Sequence, residues 1–149
     1  METKTTEEAR EVKLIAILRL MLLSAAFGWC ISAFGIFLPW SQVSKQLVGL
    51  GAGELPADPM LNYWLRMTAT AFTAIGIFFF ILAVNPRKFI SMLLLAGIFM
   101  LCEGLVLLVY GLKLGLDPIP FYVDTVFCLS LGIGILIITS QIRKRDFPQ

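Results

Sequence analysis

The sequence predicts an all-α integral membrane protein, a four-helix bundle with a short external interfacial helix. Three observations carry that prediction. The chain is 58% hydrophobic and only 15% charged, with a mean hydropathy of +0.87, whereas soluble domains hold roughly 45–50% apolar residues even with Gly counted. Four long apolar stretches fill most of its 149 residues. Each can cross a hydrocarbon core of about 30 Å at a helical rise of about 1.5 Å per residue. Finally, Lys and Arg collect at one set of stretch ends. The division that follows is a segment at 1–13, a transmembrane domain at 14–142 and a basic tail at 143–149, with no room for a separate soluble domain.

The first span is predicted over about 14–38 and ends at Pro39-Trp40, where a helix-stopping proline meets an aromatic that favours the membrane interface. Leu14 to Leu23 resembles the apolar core of a signal peptide, and Ser24-Ala25-Ala26 loosely resembles a cleavage site. The apolar run nevertheless continues to Leu38, so an uncleaved span is expected. Between Pro39 and Met60 lies the longest loop. Within it Val43, Leu47 and Leu50 recur at helical spacing opposite Ser44, Lys45 and Gln46, the pattern of an interfacial helix, and Gly49, Gly51 and Gly53 end it. A second span, about 61–84, is closed by the turn signal Asn85-Pro86-Arg87-Lys88. The third covers about 89–112 and the fourth about 120–142, stopping before Arg143-Lys144-Arg145.

Orientation follows from the cations. One side carries Lys4, Arg10, Lys13, Arg19, Arg87, Lys88, Arg143, Lys144 and Arg145, and the other only Lys45, Arg66 and Lys113. Positive residues stay inside, so both termini are expected in the cytoplasm of a bacterial inner membrane. Trp40, Tyr63, Trp64, Tyr110 and Tyr122 then fall at the outer interface, the belt such rings prefer.

Composition also removes whole classes of chemistry. There is no His, hence no common haem or zinc ligand and no usual general base near neutral pH. G-x-S-x-G, H-E-x-x-H and Walker loops are missing, so acyl hydrolysis, zinc proteolysis and nucleotide hydrolysis lack their groups. The net charge of +2 and the absence of a basic stripe with interleaved aromatics exclude nucleic acid as a partner. Cys30, Cys102 and Cys128 all fall within spans without a CxxC spacing, and read as small apolar residues.

What remains is a set of charges inside the apolar stretches. Carboxylates at membrane depth are rare because each costs several kcal/mol to place there, so they mark a ligand, ion or proton site, or a polar clasp between helices. By helix rise Glu103 lies about 13 Å from the outer end of its span, Asp124 about 6 Å and Arg66 about 7 Å. Arg66 is expected to face the interior and pair with one acid, since an unpaired charge there is costly. Arg66, Thr70 and Thr73 share one helix face, Glu103, Leu107 and Tyr110 another, and Asp124 and Cys128 a third. The predicted site is therefore Glu103, Arg66, Asp124, Tyr110, Tyr122 and Thr70, holding a ligand or relaying protons, with Phe72, Phe78 and Phe127 available for an apolar tail. Ser24, Gly28 and Ser32, and likewise Ser130 and Gly134, repeat at four-residue spacing and suggest close helix packing.

The layout resembles small bacterial four-helix membrane proteins of the DoxX-like type. The similarity rests on the external amphipathic loop from Pro39 to Pro59, on Tyr63-Trp64-Leu65-Arg66 opening the second span, and on Glu103-Gly104 in the third. It implies an accessory subunit of a quinone-linked oxidoreductase complex. Small multidrug transporters also have four spans but place their essential Glu in the first, which here has no acid. The expectation is thus a multi-pass protein that binds a lipid-like or amphiphilic ligand in its outer half or serves as an accessory subunit, alone, as a homo-oligomer or in a larger membrane complex. The competing expectation is a proton-coupled transporter using Glu103. No cofactor is predicted beyond a quinone or lipid as ligand. The residues lean away from an enzyme, although Glu103 and Asp124 could act as an acid/base couple on a lipid.

Overall fold

Residues 2–146 are described by a computed structural model, and they form helices joined by short connections. Helix α1 spans Glu2–Cys30, tightens into one 3-10 turn at Ile31–Ala33 and continues as α2, Phe34–Phe37. Pro39 then turns the chain into α3, Trp40–Gly49. The remaining helices are α4, Pro59–Val84, α5, Ile90–Leu114, and α6, Pro118–Asp146. Among the described residues four segments are long and apolar enough to cross a membrane: Ala9–Phe37, Pro59–Val84, Ile90–Leu114 and Phe121–Arg143, an 18-residue stretch of each having a mean hydropathy of 2.1, 2.2, 2.6 and 2.2.

Local chemistry sets the ends. Asp58 caps α4, its Oδ1 accepting from the backbone N–H of Met60 at 2.7 Å and of Leu61 at 2.9 Å, and Pro59 occupies the first turn, where its missing N–H is harmless. Gly115 ends α5 with φ of 61°, a left-handed position suited to Gly. Ile119 is non-helical, because Pro120 disfavours the helical region for the residue before it, so regular helix starts at Pro120 as the sequence predicts.

The packing order differs from the chain order. Helix α1 packs on α4, α5 packs on α6, and α1 joins the two pairs through α6. Neighbouring helices run antiparallel. Gly28 faces Phe127 and Gly134 faces Met21 across α1 and α6, while Gly111 faces Phe121 and Gly97 faces Leu136 across α5 and α6. A shared core of Leu18, Leu22, Phe79, Leu82, Leu93, Met100 and Ile135 lies between the four. Two glycines permit the tightest crossings. A Cβ on Gly132 would stand 3.0 Å from the Leu101 backbone N and 3.1 Å from the Gly97 carbonyl, and one on Gly76 would stand 2.8 Å from the Cys30 backbone N. Ser24 and Ser130 take no part in such contacts; both are exposed and bond to the carbonyls of Leu20 and Phe127 in their own helices.

Outward faces are strongly apolar. Phe27 is 72% exposed, Phe37 84% and Leu95 66%, values at which large side chains form the extended apolar surface that a soluble monomer avoids. Helix α3 is amphipathic, with Val43 buried and Leu47 half-buried while Lys45 and Gln46 are exposed; Leu50, expected on the apolar face, follows the end of the helix and is exposed, and Ser44 is half-buried. The chain beyond it crosses toward the α5–α6 connection, where a Cβ on Gly51 would lie 3.0 Å from an Asp117 carboxylate oxygen.

Candidate functional site: an acidic, aromatic-walled cavity

Glu103 on α5 and Asp124 on α6 line one cavity of about 420 Å³. Its other walls come from Gly28 and Trp29 at the end of α1, Ile31 and Ser32 in the 3-10 turn that follows, Phe72 on α4, Leu107 on α5, and Val123, Phe127 and Cys128 on α6. The sequence places the site between the second, third and fourth spans; the structure adds the first. Gly28 makes room for this wall, because a Cβ there would meet the Phe127 ring at 2.6 Å. Trp29 and Phe72 meet edge to face, 4.9 Å between centroids at 64°. Among the described residues neither carboxylate has a hydrogen-bond or ion-pair partner, and the Trp29 indole N–H is buried without an acceptor.

The expected pairing of Arg66 with an acid is not what forms. Arg66 donates to the carbonyls of Gly35 and Ile36, both at 2.8 Å, and to Asn62 Oδ1 at 3.1 Å. The physical reason lies in the helix end beside it. The last four carbonyls of a helix lack internal partners, carry the negative end of its dipole, and are as costly to strand in an apolar setting as a side-chain acceptor. Arg19 mirrors this at the opposite end of the same pair, donating to Ala83 at 3.1 Å and Val84 at 3.4 Å, the final residues of α4. Arg19 of α1 thus caps the C-terminus of α4, and Arg66 of α4 caps that of α2, the continuation of α1. The one ion pair among the described residues joins Arg87 to Glu11.

The remaining predicted residues lie outside the cavity walls. Thr70 is exposed, and its hydroxyl bonds the Arg66 carbonyl at 2.8 Å within its own helix, the usual choice of a helical Thr without other partners. Tyr110, two turns beyond Glu103, is 57% exposed and has the Lys113 ammonium 5.7 Å from its ring centroid. Tyr122 is 51% exposed and tilts against Phe121. Phe72 and Phe127 do line the cavity, whereas Phe78 lines a separate groove between α4 and α5. Cys30, Cys102 and Cys128 are free thiols. Trp29 was not singled out by sequence reasoning; its signal is an indole in mid-span beside the small residue Gly28.

The groove between α4 and α5 has a volume of about 460 Å³ and only apolar walls: Ala74, Ile75, Phe78, Phe79, Leu95, Ala96 and Phe99. It follows from the packing order, since these two helices are joined by a short turn yet rest mainly on α1 and α6.

Compared with known proteins, the chain matches no family model, no curated protein and no solved structure.

Proposed function

We propose that this chain is an integral membrane four-helix bundle, with both termini in the cytoplasm of a bacterial inner membrane, and that it binds an amphiphilic ligand in the cavity between α1, α4, α5 and α6. The membrane reading draws on the four apolar helices, the exposed apolar faces and the nine-to-three division of Lys and Arg between the two sides. The binding reading rests on one observation. Glu103 and Asp124 stand on a cavity of about 420 Å³ with no partner among the described residues, a volume within the usual range of small-molecule sites. Carboxylates held in an apolar span without compensation lower stability, and a ligand that meets them recovers part of that loss.

Native mass spectrometry of protein extracted gently from its membrane tests this reading. A copurifying small molecule should be bound to the wild type and to Lys113→Ala but lost from Glu103→Leu. Finding none on any of the three would overturn it. The unpaired state of Glu103 also favours a second reading, proton-coupled transport. In that case Glu103→Gln, which cannot carry a proton, abolishes proton-driven uptake in vesicles, whereas a passive binder shows no such uptake to lose.

A further inference from the structure

We infer that the ligand is a cationic amphiphile, an ammonium head on an alkyl chain, its head between Glu103 and Asp124 and its chain in the groove between α4 and α5. This rests on the binding reading above and narrows its chemistry. Two carboxylates and the rings of Trp29, Phe72 and Phe127 share the cavity wall, with no Lys or Arg among them. Carboxylates attract a cation, and aromatic faces attract one through the ring quadrupole, most strongly where water is excluded. A fatty acid or other anion would meet two like charges there, and Arg66, which could have neutralised one, is held on the Gly35 and Ile36 carbonyls. A neutral quinone would leave both acids unmatched.

The groove supplies the second half of the argument. On α5, Phe99 of the groove is one turn, about 6 Å, from Glu103 of the cavity, and on α4 Ile75 is three residues from Phe72. The two spaces therefore follow one another along the α4–α5 seam. The first is charged and aromatic, the second wholly apolar, in the order of a head and a chain.

The test uses the full chain in maltoside micelles with Trp40→Phe and Trp64→Phe, so that Trp29 is the only indole and reports from the cavity wall. Decyltrimethylammonium, decylphosphocholine, decanoate and decanol are titrated in turn. Decyltrimethylammonium should give a saturable change in Trp29 emission, weakened about tenfold by Glu103→Gln or Asp124→Asn through the loss of one carboxylate charge facing the ammonium. Decanoate and decanol should give none. Shortening the chain from decyl to butyl should weaken binding, and Ala74→Phe, which fills the groove from an exposed position, should remove that dependence on length. Decylphosphocholine matching the ammonium would support a zwitterionic lipid headgroup as the natural source, and weaker binding a free ammonium amphiphile; both keep the ammonium chemistry. Decanoate or decanol binding as tightly as the cation would overturn the cationic assignment and leave the amphiphile reading standing. No saturable response to any of the four, from protein that keeps its helical spectrum, would remove both.

Discussion

Replacing Arg66 with Leu separates the helix-capping account from an ion-pair account. The guanidinium holds two carbonyls at 2.8 Å and one side-chain amide at 3.1 Å. Hydrogen bonds to a charged partner contribute about 1.5–3 kcal/mol in soluble proteins, while polar contacts between membrane helices average about 0.6 kcal/mol. Because Arg66 is half-buried near a helix end, a value between these limits applies, and losing both carbonyl contacts should cost about 2–4 kcal/mol. Arg66→Lys, with one compact ammonium in place of a planar fork, should recover about half of that. The assay is unfolding by dodecyl sulfate in mixed micelles, followed by far-ultraviolet circular dichroism. Double variants carrying Arg66→Leu with Glu103→Gln or Asp124→Asn should be additive within about 0.5 kcal/mol, as expected of residues that share no partner. A loss under about 0.5 kcal/mol for the single variant would refute the capping argument, and so would recovery of stability when an acid is neutralised, since that is the signature of an ion pair.

Other expectations follow from the same contacts. Arg19→Leu strands Ala83 and Val84 carbonyls held at 3.1 and 3.4 Å, so the same unfolding assay should give a smaller loss, about 1–2 kcal/mol. Gly132→Ala places a methyl 3.0 Å from the Leu101 backbone N, which cannot yield without separating α5 from α6. It should cost about 1–3 kcal/mol by overpacking, whereas Gly53→Ala, with nothing within 4 Å, should be neutral. Ser41→Cys, exposed at the start of α3, should react with an impermeant thiol reagent added to intact spheroplasts. Labelling only after the membrane is opened would reverse the topology.

Much of the helical layout was legible in the letters. Apolar run length placed the four long helices, Pro39 and Asn85-Pro86 placed two of the breaks, and the spacing of Val43 and Leu47 placed α3. Glu103 and Asp124 line one cavity because α5 and α6 run antiparallel, which sets the second half of α5 beside the first turns of α6. Arg66 was misassigned for a physical reason. Its partners are main-chain carbonyls, which every residue possesses, so no letter marks them; only the end of a helix brought alongside makes them acceptors. The packing order was hidden for a similar reason. A short connection between α4 and α5 suggests adjacency, yet the crossings at Gly76 and Gly132 draw each toward a different partner and leave the groove between them. Tyr110 and Tyr122 were placed at the right end of their helices, but length along a helix does not say where a cavity stops.

The central claim is that the space beside Glu103 is a binding site, and an experimental density map of the protein, purified without exchange of its native lipids, tests it most directly. The account predicts elongated non-protein density with its head between Glu103 and Asp124 and its chain between Phe78 and Phe99. A map in which the side chains of Trp29, Phe72 and Phe127 close over that space and leave no such density would contradict it.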